Sequence, residues 1–282
     1  MPVERAYEVE AWQGPVPVVE QGSGRAILVV HGGTGDLTAW AGVAERLASE
    51  FRVLRYTRPT YRLHPAPRGT AAVEVEVADA LAVARSAGDP VLIVGHSSGA
   101  VVALEAALAD PAAVAALALY EPPLDVTHSP SGSAALRRAR SALDAGKPMA
   151  AMRIHLHELV GMPRRVVLPI TLLPPIRKLF GSFADGQIAD NEMLDALPVG
   201  MERFAALDRP VLLVTGEKSP EHLRTRSADL ASVLPDLVEE VTLAGQGHGA
   251  NTGAPDAVAS AIAAFADRVL HDGGQPTSES SG

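Results

Sequence analysis

The stretch Pro90-Val-Leu-Ile-Val94-Gly95-His96-Ser97-Ser98-Gly99 runs from an unbroken apolar segment into a glycine-flanked serine pair, and an apolar helical pattern then continues to about Ala109. An apolar run without alternation reads as a strand buried on both faces, which requires helices above and below it. A serine on the sharp turn from such a strand into a helix has a strained, closely packed backbone, and glycines two residues before and two after supply the room. The five-residue pattern alone would also fit a serine that caps a helix. Its place between strand and helix favours a nucleophile, Ser97.

Outward from this turn the same alternation recurs. Short apolar runs fall at 26–30, 51–56, 115–120, 210–215 and 238–243, with helical patterns near 38–49, 70–87, 220–234 and 255–270. Segments 6–11 and 16–20, on either side of Gln13-Gly14-Pro15, read as an opening hairpin. Together they predict an α/β fold: a mostly parallel eight-stranded sheet with helices on both faces. On the helix over 70–87, Val73, Val77, Leu81 and Ala84 form the core face, which leaves Glu74, Glu76 and Asp79 as solvated charges.

Between 124 and 207 the strand signal stops. Helical stretches near 133–145, 148–160 and 191–207, with the apolar Val166-Val167-Leu168 and Ile170-Thr-Leu-Leu173, predict a helical cap inserted after the sixth strand. Such an insertion lies over the strand ends and lines a substrate pocket, here expected to be apolar or mixed. The division is then a core of 1–123 with 208–271, a cap of 124–207, and a disordered tail of 272–282 that has no large apolar residue.

Composition narrows the chemistry. The 282 residues include no cysteine, which excludes disulfides, thiolate metal sites and a cysteine nucleophile, and makes the reducing cytoplasm the expected compartment. Acidic residues outnumber basic ones by 33 to 24, for a net charge of -9, which opposes a grip on nucleic acid. No apolar run is long enough to span a bilayer, so no membrane partner is expected, and the N-terminal residues lack the apolar core of a signal peptide.

Two further motifs complement Ser97. His31-Gly32-Gly33-Thr34-Gly35 follows the strand at 26–30, and its glycines let a backbone N–H turn toward the serine. The N–H groups of Gly33 and Ser98 are the candidate donors to a developing oxyanion. The cluster lacks both phosphate-binding glycine patterns, although a plain loop would fit it too. His248, in Ala244-Gly-Gln-Gly-His-Gly-Ala250 just past the last strand, is the candidate base. His31 is read as a stabiliser of its own loop and His96 as a structural neighbour. His155 and His157, two apart on a helix, make a poor metal site with Glu158.

With these motifs in place the chain resembles the α/β-hydrolases, of the capped esterase, lactonase and haloperoxidase-like kind, over about residues 5–271. The resemblance implies a Ser-His-acid triad with no metal or organic cofactor, acting on a small-molecule ester, lactone or thioester. The acid departs from the family pattern. Most relatives end the seventh strand in Gly-x-x-Asp, whereas this chain has Gly216-Glu217-Lys218-Ser219. Glu121, in Tyr120-Glu121-Pro122-Pro123 after the sixth strand, is the favoured acid, with Glu217 as the alternative. A slow-turnover ligand receptor or a specialised acyl transferase on the same fold is the competing functional expectation.

Overall fold

Every residue of Ala26–Val30 is buried, a condition that demands cover on both sides of the sheet. The computed structural model describes residues 4–124 and 130–271. Its strands are β1 (Glu4–Val9), β2 (Val16–Gln21), β3 (Ala26–Val30), β4 (Arg52–Tyr56), β5 (Val91–His96), β6 (Val114–Tyr120), β7 (Val211–Gly216) and β8 (Leu237–Leu243). They form one eight-stranded sheet in the order β1-β2-β4-β3-β5-β6-β7-β8. The opening hairpin pairs antiparallel and β2 joins β4 antiparallel; all other pairings are parallel.

Register explains why the central strands show no alternation in sequence. The row Leu28, Ile93, Leu117, Val211 runs across four neighbouring strands, and the next row, Val29, Val94, Ala118, Leu212, runs beside it. Adjacent rows face opposite sides of the sheet. The first packs with Ala80 and Leu81 of one helix and Val101 and Leu104 of another. The second packs with Val43, Leu47, Ile262 and Phe265. Both faces are therefore dry, as the sequence predicts.

The helices are α1 (Ala41–Leu47), α2 (Pro59–Arg62), α3 (Gly69–Ser86), α4 (Ser98–Ala109), α5 (Pro130–Asp144), α6 (Pro148–Ile154), α7 (Arg164–Ile170), α8 (Pro174–Asp195), α9 (Glu221–Ala231), α10 (Ala250–Gly253) and α11 (Pro255–His271). Helices α5 to α8 make up the insertion between β6 and β7. The helical pattern at 148–160 is α-helical only to Ile154 and finishes in a π turn, His155–Leu159. The helix expected over 191–207 forms earlier in the chain: only a 3-10 turn, Glu202–Ala206, lies in the second half of that span, and the helix itself is α8, which ends at Asp195. Pro174 and Pro175 start it, since a first-turn proline forfeits no helical hydrogen bond. Gly186 lies inside it because a Cβ there would stand 2.6 Å from Thr60 O and from the Tyr61 ring. The glycine that weakens the helical signal is the one that lets α8 settle on α2. The tail at 272–282 lies outside the described residues.

One expectation is overturned on α3. Glu74 is exposed as predicted, but Glu76 and Asp79 are fully buried. Helix α3 is covered by α2 and α8 as well as by the sheet, so its dry face is wider than one core stripe. Glu76 pairs with Arg58 Nε at 2.8 Å, both side chains at 0% exposure, and Asp79 pairs with Arg62 at 2.7 Å. No single helix among the described residues is long and apolar enough to cross a membrane.

These two glutamates should separate in a stability experiment. Glu76→Ala leaves Arg58 short of one buried partner and is expected to cost about 3–5 kcal/mol in urea unfolding. Glu74→Ala, two positions away, should change stability by less than about 0.5 kcal/mol.

Candidate active site

The candidate residues meet at the C-terminal ends of the parallel strands, the edge where open α/β sheets build their sites. Strand β5 stops at His96 and α4 begins at Ser98, leaving Ser97 between them at φ 52° and ψ -127°. Ser97 N–H donates to Tyr120 O at 2.9 Å, which ties the turn to β6. The flanking glycines are steric necessities. A Cβ at Gly95 would lie 2.4 Å from Ala100 Cα, and one at Gly99 would lie 2.3 Å from both Val30 O and His31 O. Ser97 itself is partly accessible.

The loop after β3 lies directly against this turn. A Cβ at Gly32 would be 3.0 Å from His96 O and 3.1 Å from Ser97 Cβ. Gly33 follows it, while Ser98 opens α4, where a first-turn N–H has no intrahelical acceptor. His31 holds its own loop, as expected. Its Nδ1–H donates to Gly32 O at 2.8 Å and its Nε2 accepts from Arg58 N–H at 3.1 Å. Burial, reinforced by the Arg58 charge, lowers its pKa to about 4.

His248 stands on the loop between β8 and α10. Its Nδ1–H donates to Glu121 Oε2 at 2.5 Å, and the Glu121 carboxylate is fully buried. The other oxygen of Glu121 accepts the Gly216 N–H at 2.7 Å, so both oxygens of this buried carboxylate are hydrogen-bonded. Binding through Nδ1 leaves Nε2 as the ring's accepting nitrogen. The loop is fixed from below: His96 Nε2–H donates to His248 O at 2.9 Å, and the Tyr120 hydroxyl donates to Gly247 O. Burial and the neighbouring His248 hold His96 well below the ordinary histidine range, which keeps it neutral.

Glu217 goes elsewhere. Its carboxylate accepts the Gly245 N–H at 2.6 Å on an exposed turn. Ser219, where relatives carry their aspartate, is buried, and its hydroxyl has no hydrogen-bond partner among the described residues. Of the two glutamates, the geometry brings only Glu121 to His248.

A second serine, histidine and aspartate lie nearby but are wired differently. Ser98 Oγ is buried and donates directly to Asp190 Oδ2 at 2.5 Å, with no imidazole between them. His155 instead pairs through Nδ1 with Asn191 Nδ2 at 2.8 Å, and burial lowers its pKa to about 4. His157 turns to Met162 O at 2.8 Å. Among the described residues no group of three or more His, Asp or Glu side chains is placed to hold a metal ion.

Sequence reasoning passed over Arg58, Tyr61, Gln187 and Asp190. Burial opposes the Arg58 charge, but Asp190 and Glu76 outweigh it and raise its pKa well above the usual value. Gln187 Oε1 sits 2.3 Å from where a Gly33 Cβ would be, so a cap side chain rests on the glycine loop after β3. Nothing in the sequence pairs position 58 with 190.

A strained serine on a strand-to-helix turn, a glycine loop on the neighbouring strand end and a carboxylate-held histidine across the same edge define an α/β hydrolase architecture. The chain matches the Alpha/beta hydrolase family over residues 27–261, and it belongs to that family. It is similar in structure to an alpha/beta hydrolase from Sphaerobacter thermophilus, 28% identical, with 92% of this chain and 99% of that chain covered and a TM-score of 0.74. The thermophilic esterase of Thermogutta terrifontis, in its malate-bound form, shares the fold at 20% identity, with 94% and 99% covered and a TM-score of 0.73. So does the enol-lactonase of Burkholderia xenovorans, at 18% identity, with 93% and 100% covered and a TM-score of 0.72. Comparison with curated protein sequences finds no match.

His31 and His155, both held near 4, make stability depend on pH. In the unfolded chain their pKa returns to about 6.5. Between those values the unfolded state binds protons that the native state does not, so their contribution is complete above about pH 6.5 and is lost as pH falls toward 4. The urea midpoint should fall across that window, and His155→Gln should make the fall shallower. A slope unchanged in that variant would contradict the assignment.

Proposed function

We propose that the protein is a serine hydrolase that cleaves a carboxylic ester, lactone or thioester of a small organic acid through an acyl-enzyme. The observation that carries this reading is the 2.5 Å bond between His248 Nδ1 and the buried Glu121, formed at the same edge of the sheet as a serine held at φ 52°. Those are the two demands of nucleophilic acyl transfer: a base fixed in one tautomer and a hydroxyl projected from a rigid turn. The esterase and the enol-lactonase share the fold; the ester-class reading rests on this chain's own residues.

Ser97 Oγ attacks the carbonyl carbon while His248 Nε2 accepts its proton. Glu121 stabilises the imidazolium, and the N–H groups of Gly33 and Ser98 receive the oxyanion. The tetrahedral intermediate collapses as His248 returns the proton to the departing oxygen or sulfur. Water then attacks the acyl-enzyme, its proton passing to His248 and on to Ser97, and the free acid leaves. We take residues 124–207 as the cap over this edge and 1–123 with 208–271 as the core. The absence of cysteine from all 282 residues supports a cytoplasmic location.

Hydrolysis of short- and medium-chain nitrophenyl esters tests the reading. Wild type should turn over many times and Ser97→Ala should not. Glu121→Gln should lower kcat by about 10³–10⁴-fold in a protein that still unfolds cooperatively. Glu217→Gln should stay within a few fold of wild type. A loss confined to Glu217→Gln would move the acid to strand β7. A single burst of product without turnover would favour a ligand-holding role over a hydrolase.

A further inference from the structure

The cap reaches into the sheet edge with one carboxylate. Asp190 on α8 is fully buried, and its two oxygens are shared among three residues of the core. Oδ1 accepts from Arg58 Nη2 at 2.6 Å; Oδ2 accepts from Ser98 Oγ at 2.5 Å and from the Tyr61 hydroxyl at 3.0 Å. These partners lead to the two oxyanion donors separately. Ser98 is itself one donor, and its hydroxyl is gripped on the other side by Arg58 Nη1 at 2.9 Å. The Tyr61 oxygen accepts the Thr34 N–H at 3.3 Å, which fixes the peptide following Gly33. Arg58 also donates to His31 O at 3.3 Å, on the near side of the same glycines.

We propose that Asp190 is a positioning residue for the oxyanion hole: by binding Ser98 and Tyr61 with one oxygen, it sets the spacing between the N–H groups of Ser98 and Gly33. The inference rests on the hydrolase reading above, because only that reading makes those two N–H groups donors to an oxyanion. Thr34, at φ 49°, shows why a brace is needed. A non-glycine residue in that region is strained and stays there only when its surroundings hold it. A carboxylate serves better than an amide because it accepts from all its partners and matches the Arg58 charge, whereas an asparagine would turn one donor toward a donor. Asp190 touches no reacting atom. Its effect lies on the transition state, where the carbonyl oxygen becomes charged, and hardly at all on substrate binding.

The test is Asp190→Asn with two readouts, nitrophenyl butyrate kinetics and the affinity of an alkyl trifluoromethyl ketone. Ser97 adds to that ketone's carbonyl and passes its proton to His248, leaving a hemiketal oxyanion in the hole. Removing a whole oxyanion donor costs about 10²–10³-fold in kcat; a misplaced pair should cost about 10–100-fold, with KM within about threefold. Ketone affinity should fall by a matching factor. Tyr61→Phe and Ser98→Ala should each give part of that loss, and little more when added to Asp190→Asn, because all three act through one brace. An Asp190→Asn protein with wild-type kcat and ketone affinity, or one altered only in KM, overturns the proposal. Should that variant fail to fold, the two single variants decide: matched losses in kcat and ketone affinity support the brace, and wild-type values for both overturn it. A wild-type protein with neither ester turnover nor ketone adduct would instead remove the hydrolase reading, and the brace with it.

Discussion

A guanidinium shut away from water has to be met by charge where it stands, and Arg58 meets Glu76 on one side and Asp190 on the other, all three at 0% exposure. Breaking such an arrangement leaves an uncompensated buried charge, so the elements carrying the three residues cannot move independently. They are the start of α2, the middle of α3 and the inner face of α8. The cap is thus docked on the core by a polar contact at a fixed register, with Gly186 allowing the close approach. Of the cap leucines, Leu168, Leu172, Leu173 and Leu179 are exposed, and the side chain resting on Gly33 is the amide of Gln187.

Backbone strain is concentrated where this docking matters. Among the described residues three non-glycines have positive φ, Thr34, Ser97 and Glu121, and they follow β3, β5 and β6 at one edge of the sheet. Such conformations cost on the order of 1–3 kcal/mol each and persist when neighbours over-determine them. Each has its own restraint: Thr34 N–H on the Tyr61 hydroxyl, Ser97 N–H on Tyr120 O, and Glu121 N–H on Val214 O at 3.2 Å. Two of these restraints come from the next strand of the parallel sheet. The two dry faces of that sheet are what make it rigid enough to hold the third, supplied by α2.

The legible parts of the molecule were those whose physics is local. Strands at 26–30 and 210–215 announce themselves because burial on both faces removes polar residues from consecutive positions, and the glycines around Ser97 because no Cβ fits there. Illegible parts depend on partners distant in sequence. Glu76 looks like a solvated helix charge until Arg58 and α8 arrive to cover it, and helical periodicity cannot report a second packed face. Helix α8 hides behind Pro174, Pro175 and Gly186, residues that weaken a helical pattern yet are tolerated here at a first turn or needed for close packing. The N–H of Ser98 is legible from its place after Ser97, but its hydroxyl is not, since that group's partner is an aspartate on another element.

The proposed acid shows how a motif can change while the arrangement in space survives. Strands β6 and β7 are parallel neighbours, with Tyr120 opposite Val214, so their ends lie about 4.8 Å apart. Glu121 sits one residue past β6, turned by its positive φ, and its Oε1 accepts the N–H of Gly216, the last residue of β7. The carboxylate therefore reaches across one strand spacing and comes to rest at the end of the seventh strand. Glutamate's extra methylene supplies length that an aspartate at 121 would lack. With the carboxylate delivered from β6, position 219 no longer has to carry a charge, and a buried serine occupies it. Glu217, although it follows the strand after which the family pattern looks for an acid, is turned away by its own bond to Gly245. What the histidine requires is a buried, doubly bonded acceptor at Nδ1, and which strand contributes it is secondary.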